Sequence, residues 1–381
     1  MTQHQIPQEP SDDSFQPISL APGDVAKYRA VASITVRDVY LDIIEELFRI
    51  DNPSVSPLDH GAYAARLSEY KEAYLGGISV EDHGAWFYYP WQHTVVHVPA
   101  EAGYYRLKTA RNRNLITTDE QQKLKTLSIG IAGLSVGSSA AAALAHIGIR
   151  HFKLADADTL ALSNLNRLRG GVHNLGVAKT VIAARNIYEL DPYSKVELFT
   201  EGVSQASLAQ FVANLDIAID EMDDVTMKTQ LRLLAKQHQI PVLMATDNGD
   251  NVLIDIERYD EDSSLPIFHG LLSEKDVQTI LSGGLSPQDF MHYALKIIEV
   301  RHAPTRLLSS VPLIGRELAG IPQLGSAAML AGAVVAYVVR EIACGASLKH
   351  GKHHVNLEAL LRADYPALEA MQQQLLQRKS G

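Results

Sequence analysis

The sequence predicts a Rossmann-like, doubly wound α/β sheet that is mostly parallel, with a small α+β domain ahead of it. Three observations carry this. From residue 127, β-branched runs alternate with helix-patterned segments, as in a parallel sheet with crossover helices. The first strand runs into a glycine-bearing turn that opens a helix, and the second ends on an acid, Asp156. The composition, 46% hydrophobic and 20% charged over 381 residues, suits a globular protein of two domains, or of one large domain with an appendage.

The elements follow in order. Residues 1–24 are polar and Pro-rich, and are expected to form a disordered tail with no secretory signal. Apolar residues at 36, 39, 40, 43, 44, 47 and 48 make the stripe of an amphipathic helix over 36–50. A second helix is expected over 58–75. GAWFYYPWQHTVVHV reads as two short strands around Pro90, and EAGYYRLKTARNRN as a helix running into a basic linker. Residues 25–108 therefore read as a small α+β domain. Its Trp86, Tyr88, Tyr89 and Trp91 form either a hydrophobic core or a docking surface, since Trp and Tyr are favoured at binding hot spots.

The larger domain is expected over 109–365. LSIGIA, HFKLAD, KVELF, DIAID and IPVLMA are its strands, with helices between them. NVLIDIERYD reads as a strand of a different sheet. Two helices follow near 275–281 and 287–300, then an irregular segment, then an apolar helix over 326–343. The uncharged run of that helix is about fifteen residues, short of the ~20 needed to cross a bilayer. It is expected in the core, and the protein in the cytoplasm, away from membranes. Residues 366–381 are expected to be a C-terminal helix or tail.

Composition also excludes functions. A net charge of −10 argues against a general nucleic-acid binder. The single cysteine, Cys344, allows no disulfide within the chain and no cysteine-based zinc site, so zinc is not expected. The KHGKHH run holding His350, His353 and His354 has no acidic neighbour and reads as an exposed basic loop.

The chemistry-bearing residues cluster from 127 to 224. Gly133-Leu134-Ser135-Val136-Gly137-Ser138 is a turn where a nucleotide's phosphate or ribose can approach the backbone at a helix N-terminus. Serines stand at two of the expected glycine positions. Asp156 sits where a carboxylate accepts hydrogen bonds from ribose hydroxyls, which fits NAD and ATP equally. Asp158 is a second acid there, a nucleotide contact or a loop acid. Asn164, Arg167 and Lys179 follow. An enzyme displacing pyrophosphate needs such fixed cations, and nicotinamide enzymes do not. In DEMDD, Asp223 is the candidate Mg²⁺ ligand, since Mg²⁺ takes one or two carboxylates plus phosphate oxygens. Asp224 is a candidate helix cap and Asp220 a structural acid. Thr246–Asp250 reads as a loop or a substrate contact. Arg113 lies in a linker that could deliver an arginine finger.

With these residues in place, the chain resembles the ThiF/MoeB superfamily of adenylating enzymes related to ubiquitin activators. The resemblance rests on Gly133, Asp156, LADADTLALSNLNR, Lys179 and DEMDD. It implies that Asp156 holds the ribose of ATP, that Asn164, Arg167 and Lys179 contact the triphosphate, and that Asp223 holds Mg²⁺. It also implies a homodimer in which Arg113 reaches into the partner subunit's site. The missing cysteines make thioester formation unexpected. Peptide-modifying members of the superfamily, such as the microcin C7 adenylating enzyme, carry an N-terminal peptide clamp. The domain here is of similar size, although its helix–helix–hairpin order differs from the strands-first order of such clamps.

The function expected is ATP-dependent activation of a carboxylate on a ribosomally made peptide, with the acyl-adenylate captured by a nucleophile of the same peptide. Alternatives are adenylation of a sulfur-carrier or ubiquitin-like protein, an NAD-dependent oxidoreductase, and a non-catalytic nucleotide-binding module.

Overall fold

The computed structural model describes residues 11–380. They fall into two compact units, residues 11–121 with Tyr188–Tyr193, and residues 122–187 with 194–380. The first part of the expected tail, residues 1–10, lies outside the described residues.

The first unit runs β1 (Ile18–Leu20), α1 (Pro22–Arg29), β2 (Thr35–Arg37), α2 (Tyr40–Asp51), α3 (His60–Leu75), β3 (Ala85–Tyr89), β4 (Thr94–Val98) and α4 (Glu101–Lys108). Its sheet has the order β1-β3-β4-β2. Two expectations are corrected here. Residues 18–24 are not tail: they form β1, paired with β3, and the start of α1. The helix expected from 36 begins at Tyr40, because Val36 is taken into β2 opposite Val95.

Side chains alternate along β3, as strand geometry requires. Trp86 and Tyr88 are buried with Val25 and Val95, and Phe87 and Tyr89 with Val98. The aromatics are thus core on both faces of the strand. His97 is stacked between Tyr40 and Trp86, each ring centroid 4.0 Å away, and its Nδ1 meets Asp38 at 2.9 Å.

Helix α5 (Thr118–Thr126) leads into β5 (Ser128–Ala132), and the second unit then alternates. It continues through α6 (Gly137–Ile147), β6 (His151–Ala155), α7 (Lys179–Leu190), β7 (Lys195–Phe199), α8 (Leu208–Val212), β8 (Ile217–Asp220), α9 (Val225–Gln237) and β9 (Val242–Asn248). Next come β10 (Asn251–Glu257), α10 (Glu274–Leu281), α11 (Pro287–Ile298), α12 (Thr305–Ser310) and α13 (Gly325–Ala343). The chain ends with β11 (Gly351–Val355), α14 (Leu357–Leu361) and α15 (Tyr365–Ser380).

The seven-stranded sheet has the order β11-β10-β9-β8-β5-β6-β7. Strands β5 to β9 are parallel, and β10 and β11 extend the sheet antiparallel. This is the doubly wound, mostly parallel sheet expected. Two strands depart from expectation. NVLIDIE belongs to this same sheet, because a two-residue turn at Gly249 and Asp250 folds β10 straight back onto β9. GKHHV is not an exposed loop but the half-buried edge strand β11.

One face of the sheet carries α6 and α13, pressed together at a glycine. A Cβ on Gly332 would stand 2.6 Å from the Ser139 carbonyl. By length and composition α13 also passes for a membrane span, but here its Ala328, Gly332, Val335 and Val339 are buried. The other face carries a core that includes Phe211, Leu231, Tyr259 and Phe268.

Candidate active site

The winding of the sheet reverses between β5 and β8, and in open α/β sheets that crevice is where ligands bind. The turn after β5 starts at Gly133, whose φ of 90° favours glycine. A Cβ there would also lie 2.3 Å from the carbonyl oxygen of Glu221, at the end of β8. Glycine is needed on both counts. The serines that break the glycine pattern have partners of their own. Ser138 Oγ donates to the Ser135 carbonyl at 2.9 Å, and Ser135 Oγ accepts from Arg167 Nε at 2.9 Å.

Asp156, after β6, is locked to this turn. Its carboxylate accepts the Leu134 N–H at 2.7 Å and the Asp158 N–H at 2.8 Å. Lys179, the buried first residue of α7, places Nζ 2.6 Å from Asp158 Oδ2 and 3.6 Å from Asp156 Oδ1. Asn164 shapes the loop between them. Its Oδ1 accepts the Ala161 N–H at 3.0 Å, and its carbonyl accepts from Arg167 and Leu168. Asn166 then ties the loop to the start of α13 by donating to the Gln323 carbonyl at 2.9 Å.

The acids after β8 divide by role. Asp220 is fully buried; burial alone would raise its carboxyl, but Lys228 and Arg232 hold it low. It pairs with Lys228 at 3.2 Å and with Arg232. Asp224 caps α9, accepting the Met227 N–H at 2.9 Å. Asp223 is exposed.

Two acids that the sequence reading did not single out as site residues also belong here. Glu221 Oε1 accepts the Ala245 N–H at 2.8 Å. Burial pushes its carboxyl up to about 8, helped by repulsion from Asp220 and Asp247 and opposed by the Ala245 N–H and Lys228. Asp247, near the end of β9, accepts a hydrogen bond from Gln323 at 3.3 Å, while its Oδ2 is buried with no partner. Burial raises this carboxyl too, with Asp223 repelling it and Gln323 and Arg167 pulling it down. The stretch Thr246–Asp250 is expected from the sequence as a loop or a substrate contact. In the structure it is the end of β9 and its turn, so Asp247 is held by a strand.

The structure therefore gathers Gly133, Ser135, Gly137, Asp156, Asp158, Asn164, Arg167 and Lys179 around one crevice, with Glu221, Asp223 and Asp247 at the β8–β9 edge. Arg113 belongs to the first unit, where it is exposed and follows a short 3₁₀ turn over Ala110–Asn112. Among the described residues no group of three or more His, Cys, Asp or Glu side chains converges as a ready-made metal cage. An oxygen-donor cation sharing phosphate ligands needs fewer. The orphaned Asp247 Oδ2 and the exposed Asp223 carboxylate are hard donors that suit such an ion.

Residues 109–263 match the ThiF family. An uncharacterised protein of Mycobacterium tuberculosis is 40% identical over 291 residues, which is 76% of this chain and 40% of that protein. The tRNA threonylcarbamoyladenosine dehydratase of Escherichia coli is 31% identical over 126 residues, covering 32% of this chain and 46% of the enzyme. The molybdopterin-synthase adenylyltransferase of Haemophilus influenzae is 30% identical over 129 residues, covering 33% and 52%. The chain thus spans about half, or less, of the length of these curated relatives.

Proposed function

Residues 109–263 form a ThiF family domain, and on that premise we propose that the chain is an ATP-dependent enzyme that activates a carboxylate as its acyl-adenylate. The observation that carries this reading is the juxtaposition of Arg167 and Lys179 with the Gly133 turn and Asp156. A ribose acceptor, a helix N-terminus and two phosphate-range cations then share one crevice.

Asp156 keeps free lone pairs after taking two backbone N–H groups, so it can also accept from ribose hydroxyls. Lys179 is held ready by Asp158, whose side chain is 71% exposed and so easily displaced by phosphate. Arg167 is oriented by Ser135 and Asn166. The substrate carboxylate attacks the α-phosphorus in line and pyrophosphate leaves, with both cations meeting the charge that builds there. No general base is needed, because a carboxylate is already ionised at neutral pH. Asp223 and Asp247 would hold Mg²⁺, which when bound neutralises phosphate charge.

We further propose that the carboxylate belongs to a ribosomally made peptide and that a nucleophile of the same peptide displaces AMP. Support comes from the first unit, which opens with a strand, β1, at the edge of its sheet. An edge strand can take an extended peptide as a further strand. A second reading, adenylation of a sulfur-carrier protein, is favoured by the similarity to the sulfur carrier protein ThiS adenylyltransferase of Escherichia coli, 28% identical over 138 residues. The protein is proposed to act in the cytoplasm as a homodimer. Met329 and Tyr337 on α13, with Ile321 and Leu324 before it, are exposed apolar side chains that suit an interface.

The test is ATP–pyrophosphate exchange with Mg²⁺, screened over carboxylate substrates. Exchange is expected with a peptide, and Arg167→Ala, Lys179→Ala or Asp223→Ala should each cut it by at least ~100-fold with the fold intact. Stimulation only by a protein ending in Gly-Gly would move the substrate to the second reading. Absence of exchange with every carboxylate would overturn adenylation itself.

A further inference from the structure

At the far end of the β9–β10 hairpin from Asp247, and independent of the nucleotide reading, lies a second group of polar side chains. Asp255 of β10 is buried, and Lys352 of β11 neutralises it at 2.7 Å. Asp255 also receives Nε2 of His269. The remaining nitrogen of that ring, Nδ1, lies 3.0 Å from Nε2 of His350. We infer that His269 and His350 form a binding site for a first-row divalent metal ion that prefers imidazole nitrogen.

Three features carry this. The first is protonation. His269 donates Nε2–H to Asp255, so in the neutral ring its Nδ1 carries a lone pair. If His350 simply donated Nε2–H to it, His350 Nδ1 would be bare, and that atom is buried without a partner. A buried polar atom left so is destabilising. With a cation on Nε2, the neutral ring carries its proton on Nδ1 instead. Metal-bound imidazoles commonly donate their other N–H to a carboxylate or a carbonyl, and His269 is held by the Asp255 carboxylate in this way.

The second is angle. The ring centroids stand 4.5 Å apart at 69°. A linear N–H···N bond of this length would hold them about 5 Å apart. The nitrogens instead converge at an angle, and two nitrogens bound at a right angle to one cation, each at about 2.1 Å, stand about 3.0 Å apart.

The third is strain. Phe268 and His269 both adopt left-handed backbone, with φ of 50° and 54°. Such backbone is strained for a residue with a side chain and persists only where its surroundings enforce it. Phe268 is fixed by burial, by Glu257 accepting its N–H at 2.6 Å, and by Arg232 over its ring at 4.1 Å. That fixes the backbone that carries His269 to Asp255.

The two rings line an open cavity of about 450 Å³, with Glu299, Arg301 and Lys352 on its walls. With two protein nitrogens, the ion keeps open positions that face this cavity. Water, Glu299 or a small oxygen-donor ligand would complete its shell.

The test uses untagged, full-length protein stripped with chelator and titrated with Co²⁺ or Ni²⁺ alone, without ATP. Ligand-field absorption and metal retained after gel filtration are the readouts. One equivalent is expected on the wild type. His350→Gln should abolish it, as should His269→Asn, chosen because Asn tolerates left-handed backbone. Asp255→Asn should weaken binding by about 10–100-fold. Melting curves check that each variant folds, and His354→Gln, elsewhere on β11, should bind as the wild type does. A wild type that retains no metal, or a folded His350→Gln that binds equally well, overturns the site.

Discussion

Burial holds the Glu221 proton to about pH 8 in the folded chain, whereas the unfolded chain releases it near 4.5. The folded state therefore loses stability as pH rises through that window. Urea unfolding should show a loss of the order of 3 kcal/mol between pH 5.5 and 8.5, discounted for partial solvent access. Glu221→Gln keeps the acceptor for Ala245 N–H and should remove most of this dependence; an unchanged slope would place the proton elsewhere. At this scale the sequence was legible wherever chemistry was local. Asp156, Asp224, Arg167 and Lys179 stand where spacing put them, because each is fixed by a strand end, a helix start or a short loop. Glu221 and Asp247 were not legible as a pair. They are neighbours only because β8 and β9 are adjacent, a long-range fact that no window of residues contains.

Among the elements, the five parallel strands could be read from alternation, since each is joined to the next by a patterned helix. β10 was legible as a strand but not as part of this sheet, and β11 was not legible at all. No crossover helix marks an antiparallel return, and histidine and lysine in GKHHV do not advertise a strand. The α6–α13 contact was also invisible, since Gly332 matters only for what lies against it. Gly332→Val should overpack that contact against the Ser139 backbone and cost about 1–3 kcal/mol. A lowered midpoint in thermal unfolding would show it, and an unchanged midpoint would mean that the helices separate freely.

For the whole molecule, the sequence divides the chain into a small α+β part and a larger sheet part, but nothing in it groups Tyr188–Tyr193 with the first unit. There Tyr89 and Tyr104 donate to the carbonyls of Tyr188 and Leu190, and Trp91 donates to Glu189. Proposed dimerisation with Arg113 acting on the partner makes a prediction that no single chain can satisfy. Arg113→Ala and Asp223→Ala, each inactive alone, should regain about a quarter of wild-type exchange when unfolded and refolded together, since half the dimers carry one complete site. No recovery would place Arg113 in the site of its own chain, and an Arg113→Ala variant active alone would place it outside catalysis.

The β9–β10 hairpin has a consequence for how its length can vary. Asp247 and Asp255 stand on strands joined by two residues, with Asp247 opposite Val252 and Asp255 opposite Met244. Asp247 is held from the start of α13, and Asp255 from the side of Arg232 and His269. Surface turns are where chains ordinarily accept insertions. A single residue taken into this ladder would turn every β10 side chain to the opposite face and carry Asp255 away from His269. The number of residues between the two acids is therefore as much a component of either site as the acids themselves.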